Sequence, residues 1–153
     1  MNEPSGTLRR LLLWLLLLGL AGVATELTLL GHYEDTNMVL PFLAMAAAAA
    51  GATARLARPS AKSVRWLRAS MLPMLAAGAA GAYLHFVGGR EFQVDMDSSL
   101  AGWQLLWKVL HMQAPPTLAP GVLVQFALLG LVATYRDPLT AVSAAESARG
   151  VLP

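Results

Sequence analysis

Cysteine is absent from this 153-residue chain, and charge is scarce, with only 13% of residues Asp, Glu, Lys or Arg. The missing cysteine excludes disulfides, thiolate metal centres and thiol redox chemistry. A soluble domain carries about 25% charged residues, because its surface must stay hydrated. A chain with roughly half that share is not built as an ordinary soluble domain. Chemical motifs are missing too. No phosphate loop, dinucleotide fingerprint or nucleophile motif occurs, so no enzymatic activity and no cofactor are expected. What is abundant is apolar: 56% of the residues, gathered in long unbroken runs.

A helix needs roughly 20 mostly apolar residues to cross about 30 Å of hydrocarbon. Four segments reach that length, at about 8–31, 37–54, 65–87 and 118–135. Pro41 and Pro120 fall near the starts of the second and fourth, where a missing N–H costs least. Pro73 falls early in the third. Orientation follows from basic residues, which collect on the cytoplasmic side. Arg9, Arg10, Arg55, Arg58, Lys62, Arg65, Arg68, Arg136 and Arg149 lie on one side of the spans, and only Arg90 and Lys108 on the other. The net charge of +2 carries no nucleic-acid signal, because the basic residues flank spans and face anionic lipid. The expectation is an all-α, integral membrane four-helix bundle over residues 1–138. Both termini are cytoplasmic, and residues 139–153 form a short cytoplasmic tail. The alternative for the first span is a secretory signal cleaved after Ala24. Against it, the apolar run resumes at Leu27–Leu30.

Two connections lie on the outer side. In His32–Asn37, Thr36 or Asn37 is expected to cap the second helix, with Glu34 and Asp35 favouring its N-terminal dipole. After the third span, Gly88-Gly89 is expected to end the helix. The alternation of residues 91–97 then reads as a short extended segment. An amphipathic helix at about 98–112 follows. It places Leu100, Trp103, Leu106, Trp107 and Leu110 on one face, with Trp103 and Trp107 as interfacial anchors. Ala114-Pro115-Pro116 stops it.

An ionisable residue inside a span is a functional hypothesis by default. Two qualify. Glu26 follows Arg10 by 16 residues and His85 follows Arg68 by 17. At 1.5 Å per residue both lie roughly 24–26 Å from the inner boundary. Gly19, Gly22 and Glu26 share one helix face, and Gly78, Gly81 and His85 repeat the spacing. The four glycines are expected to let the helices approach, so that Glu26 and His85 point into the bundle and pair. The pair is either structural glue or a proton, metal or cofactor site. Gln125, the other strongly polar group near mid-span, is expected to bond across helices. His32, His85 and His111 all fall on the outer side, with Glu34, Asp35, Asp95 and Asp97. No close histidine pair occurs among them, so no metal site is assigned and the three histidines are weak candidates only.

The run Glu26-Leu27-Thr28-Leu29-Leu30-Gly31-His32-Tyr33-Glu34-Asp35 resembles a stretch in small, uncharacterised, multi-span bacterial inner-membrane proteins. The resemblance covers the first two spans and implies no activity. The expected role is a non-catalytic accessory or scaffolding subunit of a larger membrane complex, respiratory or photosynthetic for instance. Its partners are then the lipid bilayer and other membrane-protein subunits. The alternative is a small binding or transport protein using an outer-leaflet Glu26/His85 site.

Overall fold

A computed structural model describes residues 3–112 and 117–141, without the side chains of 3–5 and 36–37. Five helices follow in order: α1 (Glu3–Leu29), α2 (Thr36–Ala57), α3 (Ala61–Met96), α4 (Gly102–Leu110) and α5 (Gly121–Ala133). Among the described residues there is no strand. The helices α1, α2 and α3 are long and apolar enough to cross a membrane. The fourth apolar segment gives only 13 helical residues, about 20 Å at 1.5 Å per residue, with turns at 117–120 and 134–136 on either side.

The packing forms a cycle. Helix α1 lies against α2 and α5, and α3 lies against the same two, so α1 and α3 are diagonal to each other. Small side chains make the tightest of these contacts possible. Ala44, Ala48 and Ala52 recur every fourth residue on the buried face of α2, a smooth strip along one side of the helix. Next to it, a Cβ on Gly51 would lie 3.0 Å from the Leu67 Cα of α3. Leu13, Leu16 and Leu20 of α1, Met45 of α2, Leu67, Met71 and Met74 of α3, and Leu123, Ala127 and Ala133 of α5 complete the core. These residues concentrate toward the end of the molecule that carries Arg9.

The helix ends follow local chemistry. Ser60 and Ser63 form a reciprocal capping box at the start of α3, with Ser63 N donating to Ser60 Oγ at 3.1 Å and Ser60 N to Ser63 Oγ at 3.0 Å. Such a cap contributes about 1 kcal/mol. Gly31 takes the left-handed conformation (φ 67°) just past α1, the usual glycine terminus. Helix α2 starts after Asp35, which makes no side-chain cap bond. The expected cap at Thr36 or Asn37 is therefore replaced, since both residues are already helical, and their side chains lie outside the described part.

The expected break at Gly88-Gly89 does not occur. Helix α3 runs on for 36 residues to Met96, about 54 Å, and the segment expected to be extended forms its last turns. The reason is packing. A Cβ on Gly89 would lie 3.1 Å from Met112 Sδ and 3.3 Å from Val109 Cγ1. The glycine is thus a seat for the C-terminal end of α4 rather than a helix stop. Helix α4 docks on α3 through Leu105 and Val109, which are buried. It does not dock through the tryptophan face. Thr117 Oγ1 donates to Val109 O at 2.7 Å and ties the following turn to α4. The expected stop at 114–116 and the tail beyond 141 lie outside the described residues.

Candidate functional site

Among the described residues the largest cluster of linked polar groups sits at the Arg9 end. Thr134 closes α5, and Arg136 takes a left-handed backbone (φ 47°). That conformation disfavours a non-glycine residue by about 1–2 kcal/mol. The turn sends Asp137 back under the helices, where only 1% of its side chain is exposed. Arg55 of α2 donates to Asp137 Oδ2 from Nε at 3.2 Å and from Nη2 at 2.8 Å. Arg9 of α1 places Nη1 at 3.8 Å from the same oxygen. Arg9 also donates to the carbonyls of Ala133 (3.4 Å) and Arg136 (3.3 Å). Arg68 of α3 donates to Thr134 Oγ1 at 3.3 Å and to the Thr134 carbonyl. Asp137 Oδ1 accepts from Leu139 N at 3.1 Å, starting the next turn of helix. One carboxylate and one helix C-terminus therefore gather an arginine from each of the other three long helices. Carbonyls at a helix C-terminus carry partial negative charge, which favours cations there.

Beside this cluster a cleft of about 550 Å³ opens between α1 and the end of α2. Arg9, Arg10 and Arg55 line it, above Leu13 and Leu56.

A second cleft, of about 850 Å³, lies at the opposite end between α2 and α3. Its floor is Ala77, Ala80, Gly81 and Leu84, and its polar rim holds His32, Asp35 and His85 beside Met38. Two imidazoles and a carboxylate over an apolar groove can hydrogen-bond or exchange protons with a polar head whose remainder is apolar. Among the described residues no group of three or more His, Asp or Glu is placed to hold a metal ion.

Glu26 and His85 do not meet. Glu26 lies on the exposed face of α1 and forms no hydrogen bond or ion pair among the described residues. Two features of the packing separate them. Their helices are diagonal, and α5 fills the space between. A Cβ on Gly19 would overlap the Phe126 ring of α5, and a Cβ on Gly78 or Gly81 would lie 2.8 Å from Val124 Cγ2 or Pro120 Cβ of the same segment. Gly19, Gly78 and Gly81 each receive α5 or the turn before it, not one another. Helix α5 is also too short to cover Glu26. Seven residues separate Gly19 from Glu26, but only five separate Phe126 from the first residue of α5. Gly22 has nothing within 4 Å of its Cβ position, so it packs against no other helix here. Gln125 is exposed on α5 and makes no cross-helix bond among the described residues.

Of the three histidines, His32 and His85 share the cleft, and His111 stands apart. Its ring stacks on Trp107 (centroids 3.9 Å apart), and Trp107 lies 5.9 Å from Trp103. The two tryptophans are 68% and 52% exposed and face away from α3. Asp137 is not among the residues that the sequence singles out. Its one available signal was a single acid directly following Arg136 among the many basic residues at that end.

The chain matches none of the known families, curated proteins or solved structures with which it was compared.

Proposed function

We propose that the chain is a non-catalytic accessory or scaffolding subunit of a larger membrane complex, respiratory or photosynthetic, in a bacterial inner membrane. In this reading α1, α2, α3 and the 118–135 segment are the four spans of a bundle. The Arg9 end and both termini are cytoplasmic, because eight of the described basic residues gather at that end while Arg90 and Lys108 lie at the other. The exposed Trp103 and Trp107 of α4 anchor at the outer interface, where aromatic rings are favoured.

One observation carries the subunit role: the uncovered face of α1. Trp14, Leu15 and Leu18 on that face suit lipid. Gly22, Thr25 and Glu26 continue the same face at helical spacing and are exposed. Thr25 satisfies its own hydroxyl by donating to Ala21 O at 2.8 Å, as hydroxyl side chains do within spans. Glu26 has no such acceptor or donor among the described residues. A carboxylate beside a glycine notch matches a partner helix better than it matches acyl chains. The test is purification in mild detergent with mass determination of the intact assembly. The wild type is expected in a complex of fixed stoichiometry with different subunits. Glu26→Leu is expected to release a folded monomer. A wild-type chain that purifies alone as a monomer overturns the subunit reading.

A second reading, a small binding or transport protein with an outer-leaflet proton, metal or cofactor site, is favoured by the shared cleft of His32, Asp35 and His85. It moves the site from Glu26 to these residues. Bound metal or a visible absorption band that His85→Ala removes supports it.

A further inference from the structure

The cleft at the Arg9 end holds more positive than negative charge among the described residues. Arg9 and Arg55 share the single carboxylate of Asp137, which is turned away beneath them. Arg10 is exposed and forms no hydrogen bond or ion pair among the described residues. Among the described residues, three guanidinium groups against one carboxylate leave a net charge of +2 around a cleft of about 550 Å³. Thr7 adds a hydroxyl at the rim, and Leu13 and Leu56 form the apolar base. Guanidinium forks match phosphate oxygens in geometry as well as charge. A rim of phosphate-binding groups directly above an apolar base repeats the order of a phospholipid, with its headgroup phosphate outside and its glycerol and chains within.

We propose that this cleft binds the phosphate diester of an anionic phospholipid headgroup, taken from the cytoplasmic leaflet. The inference rests on the membrane placement proposed above and is independent of the subunit role. The bound lipid completes the neutralisation that Asp137 begins. The lipid thereby bridges α1 and α2 at the end where Arg9, Arg55 and Arg68 already join the helices through α5. Arg10 is the group most devoted to the ligand, because Arg9 and Arg55 also hold the fold.

The test is native mass spectrometry of the full chain released from micelles holding equal amounts of phosphatidylglycerol and phosphatidylcholine. Preferential retention of phosphatidylglycerol is expected. Arg10→Gln should lower that preference about fivefold, the effect of one basic residue at an anionic surface. Arg90→Gln, which removes a charge at the opposite end, should leave it unchanged. Circular dichroism checks that both variants keep wild-type helicity, as expected for exposed positions. Equal retention of the two lipids, or equal losses in the two variants, overturns the proposal. Displacement of retained phosphatidylglycerol by millimolar inorganic phosphate reassigns the site to free phosphate and overturns the lipid source. A chain that stays soluble and monodisperse without detergent overturns the membrane placement itself, a result distinct from loss of lipid preference.

Discussion

Asp137 offers the sharpest test of how the helices are held. Asp137→Asn keeps the size and the acceptor for Leu139 N but removes the charge. Arg55 then retains two donors aimed at a neutral amide, and Arg9 loses its only carboxylate among the described residues. Removing one partner of a buried ion pair costs about 3–5 kcal/mol, because the other charge stays desolvated. Here the arginines are not fully enclosed: Arg55 is 15% and Arg9 22% exposed. The cost should therefore fall at the low end, about 3 kcal/mol. Asp137→Ala also removes the acceptor for Leu139 N and should cost about 1 kcal/mol more, the usual worth of a cap. Adding Arg55→Met to Asp137→Asn should recover part of the loss, with a coupling of about 1–3 kcal/mol between the two sites. The assay is reversible unfolding in mixed detergent micelles, followed by circular dichroism. If Asp137→Asn lies within about 0.5 kcal/mol of wild type, a range typical of uninvolved surface positions, the reasoning fails. The arginines would then be satisfied by water or lipid and not by the carboxylate.

The glycines should divide by neighbour rather than by sequence spacing. Gly78→Ala places a Cβ 3.0 Å from the Pro120 carbonyl and the Val124 nitrogen, which as backbone cannot give way, so a loss of about 1–3 kcal/mol is expected. Gly22→Ala meets open space and should gain up to about 1 kcal/mol of helix propensity; equal effects in the same unfolding assay would refute the packing argument. Beyond the end of α3, hydrogen bonds from the Ser99 hydroxyl (2.6 Å) and amide (3.1 Å) hold the Asp97 carboxyl below its usual range. A depressed carboxylate contributes order that is present above its unfolded value and is lost as pH falls through the folded one. Ser99→Ala should move the Asp97 titration upward, observed by NMR, and an unchanged midpoint would exclude the hydroxyl as its cause.

Much of the helical layout was legible in the sequence. Apolar run length places α1, α2 and most of α3 within a few residues, because runs that long and apolar fit a helix and carry no strand-like alternation. Sequence and structure part where a glycine serves two purposes. Gly88-Gly89 carries the local signature of a helix end, yet Gly89 stays helical because Val109 and Met112 need its empty side. They part again at partner choice. Gly19 and Gly78 both signal a close neighbour, and the sequence alone suggests they are each other's, when α5 serves both.

Composition and patterning by themselves determined that this chain is helical, too apolar for an ordinary soluble domain, and sorted with its basic residues toward one end. Those properties depend on each segment's own length, hydropathy and flanking charge. Tertiary structure alone decided which polar groups meet. Matching depth along two helices does not fix their azimuth or their neighbours. The cyclic packing puts α1 and α3 on the diagonal, leaves Glu26 uncovered, and gathers His32 with His85. It also brings Asp137, unremarkable in the sequence, within reach of Arg9 and Arg55 from two other helices. The physical reason is that a buried carboxylate is stable only where cations converge, and convergence belongs to the packing and not to any one segment.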